Sequence, residues 1–107
     1  MTMPNITPTQ VKSRLDSGEA LVILDIREEW EVETAALAGV LHIPMDNLPA
    51  EVERLPKESP LVIMCHHGNR GEQVAWWLMA QGYTNILNMM GGINQWSSEV
   101  DPAVPTY

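Results

Sequence analysis

Leu61-Val-Ile-Met-Cys65-His-His-Gly-Asn-Arg70-Gly71 is the stretch whose reading decides the fold. Its first four residues form a short, continuous apolar run, the pattern of a strand buried on both faces. After Cys65 the run gives way to two histidines, two glycines, an asparagine and an arginine, so the strand ends there in a tight loop. Beyond the loop, Glu72 to Gln81 has helical spacing, with Val74, Ala75 and Leu78 on one face, and it stops at Gly82. A buried strand feeding a helix through a short loop is the opening of a βαβ unit, which is built around a parallel sheet.

Working outward, the same alternation recurs. Thr7-Pro8 opens a helix, Thr as N-cap and Pro at the first helical position, with Val11 and Leu15 inward and Gly18 closing it. Leu21 to Asp25 reads as a second strand buried on both faces, and Glu28 to Glu33 as a short acidic helix carrying Trp30. Val40 to Ile43, closed by Pro44, is a short strand, and Asp46 caps a helix running through about Leu55 with Leu48, Val52 and Leu55 on one face. Asn85 to Met89 is a further strand, succeeded by Gly91-Gly92 and a last short helix through Trp96. Met79, Met89 and Met90 read as core filling, whereas Trp76 and Trp77 lie off the inward face of their helix and pack against a neighbour or meet solvent. The pattern predicts one α/β domain over residues 1–107, with a central parallel sheet of about five strands flanked by helices on both faces. In such sheets the ligand site lies beyond the carboxyl ends of the strands, which points to the residues just after Asp25 and Met64.

Composition narrows the function. A chain of 107 residues with 45% hydrophobic and 19% charged residues has the makings of one folded core. Its net charge of −8 and its unclustered basic residues argue against nucleic acid and anionic membrane surfaces as partners. The longest apolar run, Leu61 to Cys65, is far short of the ~20 residues that cross a bilayer. The opening Met1 to Asn5 has no basic or apolar leader region, so a cytoplasmic protein is expected, with a monomer as the default state. One cysteine excludes an intramolecular disulfide and leaves either an inert buried thiol or a reactive one.

The position of Cys65 favours reactivity. It stands between a buried strand and a helix N-terminus, where the backbone N–H groups of a glycine-containing turn can converge on one anionic atom and the helix adds its positive end. Arg70 is close enough in sequence to add a full charge, and its guanidinium suits bidentate capture of an oxyanion. Such surroundings stabilise a thiolate, the nucleophilic form of cysteine. A metal site is not expected, because adjacent His66 and His67 diverge and only His42 remains as a further soft ligand. Asp25 and Arg27 read as a buried structural pair near the site, with Arg27 also bonded to Glu31, and His42 as a packed, hydrogen-bonded histidine.

These residues resemble the rhodanese-like sulfurtransferase family. The likeness rests on Cys65-x-x-Gly68-x-Arg70, on Asp25-Ile-Arg27-Glu28, and on Trp30-Glu31, Gly39 and Ile43-Pro44 in register after it. It continues through Gly82-Tyr83 and the closing Asn88-Met-Met-Gly-Gly-Ile-Asn-Gln-Trp96. Gly71 stands where the family commonly has Ser or Thr, a departure that bears on substrate preference. The segment Val100-Asp-Pro-Ala-Val-Pro-Thr-Tyr107 is similar to the endings of rhodanese domains attached to activating enzymes of ubiquitin-like sulfur carriers.

The resemblance implies a sulfurtransferase without cofactor. Cys65 would form a persulfide from a small sulfane-sulfur donor, thiosulfate or a low-molecular-weight persulfide, and pass it to a thiol or protein acceptor. His66, His67, Gly68, Asn69, Arg70 and Gly71 would bind the substrate. Two other readings compete. One is a non-catalytic or sulfur-relay module that docks a partner protein. The other is a cysteine phosphatase or arsenate reductase, disfavoured because four residues lie between Cys65 and Arg70, one fewer than a phosphate-wrapping loop carries.

Overall fold

In the computed structural model, which describes residues 2–107, five parallel strands form one sheet in the order β1-β5-β4-β2-β3. The strands are β1 (Asn5–Ile6), β2 (Val22–Asp25), β3 (Leu41–His42), β4 (Leu61–Met64) and β5 (Ile86–Met89). The helices between and after them are α1 (Pro8–Asp16), α2 (Glu29–Thr34), α3 (Leu48–Glu51), α4 (Asn69–Ala80) and α5 (Gly92–Glu99). The expected α/β domain with a five-stranded parallel sheet is therefore the observed one.

Period-2 alternation along the central strands divides the core into two layers. Leu24, Leu61 and Ile63 point to one face, where Leu48 of α3 and Val74, Ala75 and Leu78 of α4 cover them. Ile23, Val62 and Met64 point to the other, against Val11 of α1 and Ile93 and Trp96 of α5. The alternation places Cys65 in the first layer, on the side of α4. Pairing of Val22 to Asp25 with Leu61 to Met64 aligns the ends of β2 and β4, so the loops after Asp25 and Met64 emerge side by side.

Helix α1 begins as expected. Thr7 Oγ1 accepts from the Gln10 amide at 3.1 Å and Gln10 Oε1 accepts from the Thr7 amide at 2.9 Å, a capping box in front of Pro8. Its inward face is narrower than the spacing predicts, because Val11 is fully buried but Leu15 is 36% exposed at the last turn. Strand β1 escapes the sequence reading. It is two residues long, with Asn5 opposite Asn88 and Ile6 opposite Met89, too short for any periodicity to register. The helix expected from Asp46 to Leu55 is broken into a 3₁₀ turn at Met45–Asn47, the single turn of α3 and a second 3₁₀ turn at Val52–Arg54. Leu48 and Leu55 still reach the core. Helix α4 starts three residues earlier than Glu72, so Arg70 and Gly71 lie in its first turn. Met89 fills the core as expected, but Met90, in the turn just past the end of β5, is 44% exposed. Trp76 and Trp77 are both half-buried. Among the described residues, no helix is long and apolar enough to cross a membrane.

Candidate active site

Helix α4 has no side-chain cap of its own, because its N-cap is Gly68. The first amides of a helix lack intrahelical partners and must find acceptors elsewhere. Here the acceptor is a sulfur atom. Cys65 Sγ receives the Gly68 amide at 3.0 Å and the Gly71 amide at 3.2 Å. The thiol thus sits at the positive end of α4 as its cap, with the cysteine 1% exposed.

The loop curls this tightly for two reasons. Gly68 has a φ of +106°, a conformation open to glycine alone at little cost, and a side chain on it would press on the backbone of Gly91. The second reason lies in α5, whose own free amides anchor the far side of the loop. The Ile93 amide donates to the Cys65 carbonyl at 2.9 Å and the Asn94 amide to the His66 carbonyl at 3.1 Å. With those two carbonyls held by α5, the Gly68 and Gly71 amides remain for the sulfur. Gly92, at φ +58°, makes the approach possible, since any Cβ there would collide with the Cys65 and His66 carbonyl groups. Gly91 and Gly92, both at positive φ, thus turn the chain tightly beside the loop.

Arg70 is not a free guanidinium. Its two terminal nitrogens donate to the two carboxylate oxygens of Glu31 at 2.7 and 2.8 Å, a fork-on-fork pair between α4 and α2. The bidentate face expected to await a substrate oxyanion is already occupied. This pairing, reinforced by the Tyr107 hydroxyl at 2.7 Å, holds the Glu31 carboxyl down to about 2.

Asp25 and Arg27 form the buried pair that the sequence predicts, both side chains fully enclosed. Arg27 Nε donates to Asp25 Oδ1 at 2.9 Å and one terminal nitrogen to Oδ2 at 2.7 Å. The guanidinium also holds the Ala35 carbonyl at 2.7 Å and the Tyr107 hydroxyl at 2.9 Å. Its bond to Glu31 goes to the backbone carbonyl at 3.3 Å, because the carboxylate is committed to Arg70. His42 donates from Nε2 to the Arg27 carbonyl at 2.8 Å, fixing the end of β2.

The remaining loop residues differ in access. Asn69 and His67 are exposed, while the His66 ring lies between Tyr107, stacked at 3.8 Å and 3° from parallel, and His67, also at 3.8 Å. Burial, and then the neighbouring His67, push His66 below the ordinary histidine range. Three contributors escape the sequence reading in part or whole. Glu31 is recognised there as a partner of Arg27, which it is through its backbone carbonyl, but the pairing of its carboxylate with Arg70 is not. Tyr107 has no local signal. Asn88 is buried with Oδ1 unpartnered, and a Cβ on Gly71 would lie 2.5 Å from that oxygen and 3.5 Å from Cys65 Sγ.

The profile of the rhodanese-like domain matches residues 7–99. The chain belongs to the rhodanese-like domain family. Thiosulfate sulfurtransferase GlpE of Haemophilus influenzae is 31% identical over 107 residues, covering 100% of both chains. YrkF of Bacillus subtilis is 33% identical over 100 residues, but this rhodanese-like domain spans only 54% of its length. The crystal structure of a rhodanese-like domain protein from Staphylococcus aureus superposes with a TM-score of 0.85 at 27% identity, covering 98% of this chain and 99% of that one.

Proposed function

We propose that this rhodanese-like domain is a sulfurtransferase that carries sulfur on Cys65. The observation that carries the reading is the convergence of the Gly68 and Gly71 amides on a single buried sulfur. The Cys65 thiolate attacks the sulfane sulfur of thiosulfate or of a small persulfide. A new S–S bond forms at Cys65 as the donor's sulfur–sulfur bond breaks, and the electron pair leaves with sulfite or with the donor thiolate. In the second half, an acceptor thiolate, or cyanide in an assay, attacks the outer sulfur and Cys65 departs as a thiolate. Negative charge appears on sulfur at this position in both halves. Amides already aimed there stabilise it without rearrangement. The name of the full-length relative GlpE supports thiosulfate as a donor.

In this reading His66 to Gly71 form the substrate-facing loop, with His67 and Asn69 exposed on it, while Asp25 and Arg27 hold its base. Arg70 acts through Glu31 as a positioning residue. Exposure to thiosulfate should add one sulfur, about 32 Da, to the intact protein. Cys65→Ser should abolish both the mass gain and sulfur transfer to cyanide while remaining folded. A wild type that takes up no sulfur, or a serine variant that keeps the activity, overturns the proposal.

A further inference from the structure

Tyr107 joins four residues around the site, His66, Trp30, Arg27 and Glu31. Its ring stacks face to face on His66, the residue after Cys65, and meets Trp30 of α2 edge-on at 5.9 Å. Its hydroxyl accepts from Arg27 at 2.9 Å and donates to Glu31 at 2.7 Å, so the ring is oriented by charged groups fixed at the end of β2 and in α2. Through Glu31 it also reaches Arg70, in the first turn of α4. Half-buried and bonded at both ends, the phenol is pushed up to about 12, chiefly by burial, and stays a neutral donor at any working pH.

We infer that Tyr107 is a positioning residue for sulfur transfer, clamping the Cys65 loop through the His66 ring and the Glu31–Arg70 pair. The inference rests on the sulfurtransferase reading of this site. The physical reason is the number of supports the loop has on each side. Its carbonyls are held by α5 through Ile93 and Asn94, but the His66 ring has no hydrogen bond at Nε2 and is held by its two stacking partners together with the Tyr107 backbone. One of those partners, His67, is itself exposed and lies in the loop. Tyr107 is the partner anchored from outside. If the ring goes, the His66 peptide and the turn after it gain freedom, and the Gly68 and Gly71 amides lose their fixed aim at Sγ. A transition state that relies on aligned donors is sensitive to that loss, whereas donor binding is much less so.

The test uses Tyr107→Leu, which removes ring and hydroxyl, and Tyr107→Phe, which keeps the stack and loses the anchor. Two measurements are made on folded protein: amide hydrogen exchange at Gly68 and Gly71 against the β4 amides, and single-turnover sulfur loading from thiosulfate. Tyr107→Leu should speed exchange at Gly68 and Gly71 about tenfold with β4 unchanged, and slow loading at saturating thiosulfate about tenfold with KM within about twofold. Tyr107→Phe should fall between, near threefold in each. A residue with only a general structural role would speed exchange in β4 as well and leave the loading rate of folded molecules alone. Unchanged exchange at Gly68 and Gly71 in Tyr107→Leu overturns the inference. Should that variant not fold, Tyr107→Phe decides alone, and wild-type exchange and loading in it overturn the clamp. If the wild type loads no sulfur, the reading of the site fails, and the exchange data still decide whether Tyr107 orders the loop.

Discussion

At the residue scale, Arg70 carries the clearest change of role between sequence and structure. A guanidinium near a thiolate invites a substrate oxyanion, yet Glu31 takes both of its terminal nitrogens. Removing Arg70 therefore leaves a buried carboxylate with only the Glu28 amide and the Tyr107 hydroxyl and no cation, while removing Glu31 frees an arginine that is 33% exposed and can be solvated. Arg70→Ala should cost more stability than Glu31→Gln at neutral pH, on the order of 4 kcal/mol against about 3. A double-mutant cycle read by urea unfolding should give a coupling of about 1–3 kcal/mol. The kinetic consequence comes from the same geometry. Arg70→Ala should impair thiosulfate and glutathione persulfide to similar degrees, because the loss acts on the loop and not on a sulfonate. A loss confined to thiosulfate would restore Arg70 to direct substrate contact. Arg70→Lys should not rescue, since a single ammonium cannot reproduce the fork.

The elements meet at the loop, and their ends are where substitutions will be felt most. Helix α4 caps itself on Cys65 Sγ and α5 caps itself on the carbonyls of Cys65 and His66. Two helix termini and one loop thus satisfy each other's backbone groups, so no side-chain cap is needed at either helix. Gly92→Ala would put a methyl group into those carbonyls and force a left-handed backbone on alanine. It should destabilise by about 3 kcal/mol and abolish sulfur transfer, read as a lower urea midpoint and absent loading. Strand β2 ends on the fully enclosed Asp25–Arg27 pair, which ties it to the Ala35 carbonyl after α2 and to Tyr107. Arg27→Ala leaves the Asp25 carboxylate buried without its cation and should cost about 3–5 kcal/mol in the same measurement.

For the whole molecule, Glu31 links the site to acid stability. Its carboxyl sits at about 2 in the folded chain against an ordinary 4.5, so folding favours the ionised form. A depressed acid contributes its full stability above the unfolded value and loses it as pH falls through the folded one. The contribution, about 3 kcal/mol, should therefore be intact at neutral pH and vanish between roughly pH 4.5 and 2. Urea unfolding of wild type and Glu31→Gln across that range should show two curves that converge at the acid end. Parallel curves down to pH 2 would mean that the Arg70 pair does not hold the carboxyl down. The net charge of −8 adds general repulsion, but its release by protonation is common to both proteins and cancels in the comparison.

Much of this protein is legible along the chain because the signals are local. The Leu61 to Met64 run, the Thr7-Pro8 start and the glycine three residues after Cys65 each act within a few residues. A continuous apolar run buries on both faces, a threonine caps the amide three residues on, and a left-handed turn needs glycine. Those rules yield the parallel sheet, the helix starts and the loop that holds Cys65. Tertiary structure decided the rest. Strand β1 exists only because Asn5 and Ile6 find β5, about eighty residues away in the chain. The fold chose Glu31 for Arg70 across 39 residues, and Tyr107 for Glu31 across 76. Nothing within a helical turn of Arg70 or Tyr107 distinguishes a partner in the protein from a partner in solution. Charge and aromaticity have no period, so their pairing becomes determined only when the strands have brought the ends of α2, α4 and the segment after α5 to one edge of the sheet.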